Sequence, residues 1–329
     1  MEKGEKSKKY YEEINIIRGL TLLFVLIGHC FVYPPTENEN YIVYFIYNFV
    51  YSFHMAVFFF ISGFLASSKI LSGKFDLKTE TIKKARRILI PYFIVSIITF
   101  LIKLIMSDFA RNDVKLSDFW KMFIGISPNG GMWFLYCLFV LSMIFMLFSK
   151  AKIRSRLFYV LFGLVAYIIS LVPGVYLIRN LLKYCIFFAL GIVFNSIYKF
   201  KLKKVILIDL AVISFLLLII ATIDQNNWYI YTGLLGIVFS FSIGLLLKNR
   251  KNFINKIVNE LGQYSYDIYI ISYFVMQMIM IIFYKMLNMN YYLVAVLTLI
   301  IGPTISYFLS KDVFRKNKIL NKYLLGNWK

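Results

Sequence analysis

Apolar residues fall into ten long runs, at approximately 14–33, 41–66, 87–106, 130–149, 157–172, 176–198, 205–223, 228–247, 261–284 and 291–310, with short and mostly basic segments between them. A helix needs ~20 residues to cross hydrocarbon, and each run is near that length, the fifth being the shortest. The breakers Pro34-Pro35, Pro128-Asn129-Gly130-Gly131 and Pro173-Gly174 fall where the runs end. No intervening segment is long enough for a soluble domain, and no internal repeat is visible. The pattern predicts an all-α integral membrane protein of about ten transmembrane helices, one domain over 1–329, with tails at about 1–13 and 311–329. The first run is too long for a removable signal peptide, and no small-x-small site follows it.

Composition narrows the class. Hydrophobic residues make up 60% of the 329 and aromatics 19%, with a mean hydropathy of +0.72. Yet Lys+Arg number 37 against 16 Asp+Glu, a net charge of +21. A soluble nucleic-acid binder is basic without being this apolar, so no nucleic-acid partner is expected, and a disordered basic tail is polar. Three cysteines, Cys30, Cys137 and Cys185, cannot all pair and lie in apolar runs, which excludes a disulfide scaffold.

The basic residues set an orientation. With the N-terminus cytoplasmic, 29 of the 37 Lys and Arg fall on the inner side, and four (Arg111, Lys115, Lys121, Lys285) fall outside. That is the positive-inside asymmetry of a plasma-membrane protein with both termini cytoplasmic. The same charge favours anionic lipid headgroups. It also suits a phosphorylated cytoplasmic ligand.

Ionisable groups inside a span are costly unless paired or hydrated, so each is a functional candidate. The chain has two histidines, His29 and His54, both within the first two runs. Arg18 and His29 are eleven residues apart, almost three helical turns, so they share one stripe about 16 Å apart along the axis. A cation at the inner mouth and a base deeper in make a plan for chemistry that starts on one side of the membrane and ends on the other. A snorkelling Arg18 and a packing His29 are the alternative. Gly28 leaves space beside His29 for a substrate or another helix. No carboxylate in the first run can orient the imidazole; Glu37 and Glu39 are the nearest in sequence.

The Arg18-x10-His29 arrangement in INIIRGLTLLFVLIGH resembles the signature of the membrane-bound acyltransferase 3 family. Further segments resemble it in the expected order. These are FHMAVFFFISGF at 53–64, Arg86-Arg87-Ile88-Leu89-Ile90-Pro91-Tyr92, Trp133-Phe134-Leu135, and LGQYSYDIYIIS at 261–272. Asn15 stands where the family often has Asp, Ala56 where it has Pro, and Ser272 where it has a late histidine. The resemblance is to the O-acetylase branch. It implies transfer of an acyl group, usually acetyl, from cytoplasmic acyl-CoA to a hydroxyl of a cell-surface or lipid-linked glycan.

Residue roles follow from that implication and from charge. Arg18 with Lys83, Lys84, Arg86 and Arg87 is expected to hold the phosphates of acetyl-CoA, Arg as a planar fork and Lys as a point charge. His29 is the expected general base, with an acyl-His intermediate as the rival route. His54 is the second catalytic candidate, lining the same tunnel or bonding the thioester carbonyl, with helix packing as the alternative. Trp133 and Arg179, with Lys183 one turn on, are candidates for the acceptor, and Asp267 for an ion pair with a loop cation. The segment 107–129, with Trp120, is expected to be an outer lid. No permanently bound cofactor, metal cluster, P-loop or dinucleotide fingerprint is visible. A glycan or solute carrier is the alternative function, and a homodimer is left open. The Lys-over-Arg and Ile/Asn/Tyr bias suggests a bacterial source.

Overall fold

The computed structural model describes residues 11–36, 38, 40–105, 114–198, 202–224, 229–250 and 252–328. They are helical throughout, and each of the ten apolar runs coincides with a helix. These are α1 (Glu12–His29), α2 (Tyr41–Ser72), α3 (Leu77–Lys84) running on into α4 (Ile90–Ile105), α5 (Trp133–Lys150), α6 (Arg156–Ser170), α7 (Tyr176–Ile197), α8 (Lys204–Ile223), α9 (Tyr229–Leu247), α10 (Phe253–Met280) and α11 (Tyr291–Phe308), with a short α12 (Lys318–Tyr323) at the end. Eight of these, some extended by π turns, are long and apolar enough to cross a membrane. The fifteen-residue α6 is shorter, and α1 carries Glu12, Glu13 and Arg18. Glu37 and Glu39, part of the outer segment 107–129 and the tail residues 1–10 lie outside the described residues.

Helix starts are set by side-chain caps. Asn40, Asp76, Ser155, Asn252, Asn290 and Asn317 each accept a hydrogen bond from a backbone N–H of the first turn. Gly73 ends α2 at φ +62°, a left-handed cap that suits glycine.

The helices α1, α7 and α9 pack directly around α2. Small residues let two pairs approach closely. A side chain at Gly63 of α2 would collide with the Phe188 carbonyl of α7, and one at Gly191 with the Phe60 carbonyl. Gly19 of α1 and Gly262 of α10 face the Val258 and Asn15 carbonyls in the same reciprocal way. Between apolar helices in lipid, such close approach stands in for a hydrophobic driving force. The outward faces are apolar, as on α8, where Val212, Ile213, Leu216 and Ile220 are all exposed.

Alternate connections gather at one end of the bundle, with Arg18 and its basic neighbours. There Glu13 pairs with Lys248 (3.0 Å), and Asp267 pairs with Arg315 (2.7 Å) while accepting from Ser310 (2.9 Å). This is the loop-cation partner expected for Asp267. His29 stands at the opposite end.

Of the segment expected to be an outer lid, residues 107–113 lie outside the described residues, and the rest packs along the bundle. The 3₁₀ helix Leu116–Ile124 runs back along α4, with Phe119 against Phe100 (5.5 Å) and Phe123 against Phe93 (5.4 Å). Tyr92 donates to the Met122 carbonyl (2.8 Å), and Ser96 shares a hydrogen bond with Ser127 (2.8 Å). Its polar residues satisfy one another, Lys121 pairing with Asp118 (2.6 Å). The chain therefore re-enters the bundle before α5 begins.

Bulk at the glycine contacts should separate α2 from α7. Gly63→Leu and Gly191→Leu should each cost on the order of 1–3 kcal/mol, read as earlier thermal unfolding in detergent. Gly174→Leu, at a position where the added carbon meets little, should leave the melt unchanged.

Candidate functional site

Helix α1 is unbroken from Glu12 to His29, so Arg18 and His29 share the stripe that their spacing predicts. Arg18 is half-buried, and its guanidinium lies within electrostatic range of Arg87. Among the described residues, no carboxylate pairs with Arg18. Two like charges held together without a counter-charge make a place for an anion.

Arg87 is positioned by the proline that follows it. Residues 85–89 form a π turn, and Pro91 has no N–H to donate back to the Arg87 carbonyl. Tyr266 of α10 supplies the missing donor through its hydroxyl (2.5 Å), and the Arg87 guanidinium lies 4.2 Å over the same ring. The guanidinium also donates to the Leu325 carbonyl (2.6 Å) and to Asn327 Oδ1. Arg86 is exposed, with its guanidinium over the Trp328 ring (4.9 Å). Lys84 reaches Ser142 Oγ (3.2 Å), and Lys83 pairs with Glu80 (3.3 Å). Arg18 and Arg87 thus lie within electrostatic range of one another, while Arg86, Lys83 and Lys84 are each engaged by other partners.

At the opposite end a cavity of about 960 Å³ opens among α1, α2, α4, α5, α7 and α10. His29, His54 and Trp133 all line it. Tyr51 stands between the histidines, its ring 6.0 Å from His29 and 5.1 Å from His54, edge-on to both. Gly28 permits this, since a side-chain carbon there would lie 2.8 Å from Tyr51 Cε2. The space beside Gly28 is therefore filled by α2. His54 is buried, and its Nδ1 donates to the Val50 carbonyl. A carbonyl can only accept, so Nδ1 holds the proton and Nε2 of the neutral ring is the acceptor.

One face of α7 forms the far wall. Tyr176, Asn180, Lys183 and Tyr184 follow one another at helical spacing and all line the cavity. Trp133 packs on them at 5.5 Å from Tyr184 and 6.4 Å from Tyr176. Arg179 lies on the exposed side of the same helix. The structure therefore separates the two cations of α7: Lys183 faces the site and Arg179 does not. Arg18 and the basic loop likewise do not line the cavity.

Sequence reasoning missed the groups that join the two ends. On α10, Tyr266 stacks under Arg87, while Tyr269, Tyr273 and Gln277 line the cavity. Their spacing of three, four and four residues is one helical face, a signal that lay within and just beyond the LGQYSYDIYIIS segment. Ser272, in the place of the family's late histidine, lines a small recess beside His29.

Residues 11–321, nearly the whole chain, match the acyltransferase domain of the acyltransferase 3 family. The chain belongs to that family. Within it, the chain is similar to nodulation protein NolL of Sinorhizobium fredii (strain NBRC 101917 / NGR234), at 29% identity over 185 residues. That match takes in 55% of this chain and 47% of the relative, so the chain spans about half the length of the protein it matches. No solved structure matches it. Arg18 and His29 thus sit on one unbroken helix, with the histidine lining the cavity and the arginine near Arg87.

The site's loop depends on Tyr269, whose hydroxyl donates to the Gly131 carbonyl. Tyr269→Phe leaves that carbonyl with only the long Phe134 N–H contact (3.5 Å) and should destabilise the protein by about 1–3 kcal/mol. Thermal unfolding in detergent measures this, with Tyr231→Phe on α9 as a neutral comparison.

Proposed function

We propose that this protein is an integral-membrane O-acyltransferase with ten crossings and both termini cytoplasmic. It moves an acetyl or related acyl group from cytoplasmic acyl-CoA to a hydroxyl of a cell-surface or lipid-linked polysaccharide. The reading rests on family membership together with one observation: a single helix joins a cation pair at the basic end to a histidine in a cavity at the other. The setting is the plasma membrane, and a bacterial one on the sequence bias.

The nucleotide end of CoA is a polyanion. Arg18 and Arg87 are its first partners in this reading, and Arg86, Lys83 and Lys84 form the outer rim. Guanidinium forks suit phosphate oxygens. The donor's thin arm then follows Tyr266, Tyr269 and Tyr273 along α10 toward His29. There a neutral imidazole takes the proton of the acceptor hydroxyl as its oxygen attacks the thioester. His54, with Nε2 as acceptor, sits one tyrosine away and holds the polar lining in register. Trp133, with Tyr176 and Tyr184, offers aromatic faces to a sugar. Lys183 and Asn180 add polar contacts for an acceptor that carries negative charge, and Arg179 serves the approach from the membrane surface.

Membranes bearing wild type or His29→Ala at matched levels, incubated with radiolabelled acetyl-CoA, test this. Label should appear on glycan with wild type and fall by about 10²–10⁴ in the variant, the usual worth of a positioned general base. Arg18→Ala should mainly raise the KM for acetyl-CoA. Equal labelling by His29→Ala would exclude that histidine as the base. No labelling by either, with glycan reaching the outside only when the protein is present, would favour a carrier.

A further inference from the structure

Asn129 lies in the chain breaker that precedes α5, and its side chain is fully buried. Its orientation is set by the backbone around it. The Gly131 N–H donates to Asn129 Oδ1 (3.1 Å), and the Asn129 N–H donates to Ser127 Oγ (3.0 Å). An N–H needs an acceptor, so the oxygen of the amide is the atom that faces Gly131. The amide nitrogen is thereby turned the other way. There Nδ2 has no hydrogen-bond partner.

A buried amide donor left without an acceptor costs about 1–3 kcal/mol, so native structures rarely keep one without use. Asn129 lines a recess of about 20 Å³ that His29 and Ser272 also line. A single water-sized group needs roughly 10–15 Å³ by this kind of measure. The recess adjoins the large cavity, sharing His29, Gly131, Tyr269 and Tyr273 with it. It therefore has room for one oxygen atom, and Asn129, with its unpartnered donor, and His29 are both among its lining residues. Re-entry of the chain along α4 and the Tyr269 hydroxyl on the Gly131 carbonyl hold the donor at this depth.

We infer that Asn129 Nδ2 is the oxyanion donor of the acyl-transfer site: it hydrogen-bonds the thioester oxygen as negative charge develops there. This rests on the acyl-transfer reading above. The acceptor hydroxyl oxygen bonds to the thioester carbon while one ring nitrogen of His29 takes its proton. The carbonyl π pair moves onto oxygen, which enters the recess and accepts from Asn129. The pair then returns, the carbon–sulfur bond breaks, and the imidazolium returns its proton to the CoA thiolate. Products are the O-acyl ester and free CoA thiol, with no other reactant.

The test compares wild type, Asn129→Asp and Asn129→Ser in membranes, with radiolabelled acetyl-CoA varied at saturating acceptor. Asn129→Asp keeps the acceptor for Gly131 and removes the donor. Its kcat should fall by roughly 10²–10³, the usual loss when one oxyanion donor is removed, with KM for acetyl-CoA unchanged. Asn129→Ser keeps a hydroxyl that can donate and should lose less, which also covers the case in which Asn129→Asp fails to accumulate. A wild-type kcat in either variant would overturn the assignment, as would a loss carried by KM or by protein abundance alone. Wild-type membranes that transfer no acetyl group would overturn the acyl-transfer reading itself, a different result from variants that match an active wild type.

Discussion

A polar group within hydrocarbon must find a partner or face a cavity, because no bulk water is there to solvate it. That constraint organises this molecule. Glu13 and Asp267 meet it with Lys248 and Arg315, and the hydroxyls of Ser67 and Thr232 meet it with carbonyls of neighbouring helices. Even the proline after Arg87 is answered, the carbonyl it frees being taken by Tyr266. Against that background the polar groups that gather on an open volume stand out: His29, His54, Asn180 and Lys183.

Close glycine contacts have a related consequence. They fix α1 against α10 and α2 against α7, and these four helices carry the cation pair's neighbours, both histidines, the tyrosine face and the α7 wall. Rigid spacing between the ends of α1 matters because Arg18 and His29 act on opposite ends of one donor in this account. A flexible scaffold would leave the reacting end of a long, thin molecule poorly placed.

Much of this was legible in the residues. Ten apolar runs became ten helices because a hydropathy signal summed over about 20 residues outweighs local propensity. The scarcity of in-membrane charge singled out His29, His54 and Arg18, and the Arg-x10-His spacing placed two of them on one stripe. What stayed hidden depended on tertiary contact. Lys115, Asp118 and Lys121 give the segment before α5 the look of a solvated loop, and only their mutual pairing and the Tyr92 and Ser96 hydrogen bonds tuck it along α4. Asn129 sits among turn residues, where asparagine needs no special reason, so its buried donor could not be read from the sequence. Arg179 and Lys183 are one turn apart, and only the packing of α7 decides that Lys183 faces the cavity.

In the proposed reaction the donor enters at the Arg18–Arg87 end and reacts at the His29 end. Acetyl-CoA does not cross a sealed bilayer, so oriented vesicles carrying the protein and a glycan acceptor test it directly. Label should pass to the acceptor when radiolabelled acetyl-CoA is confined to the face bearing Arg18 and Arg87, and not when it is confined to the face bearing the mouth of the His29 cavity. Transfer from the His29 face alone, or equally from both, would contradict it.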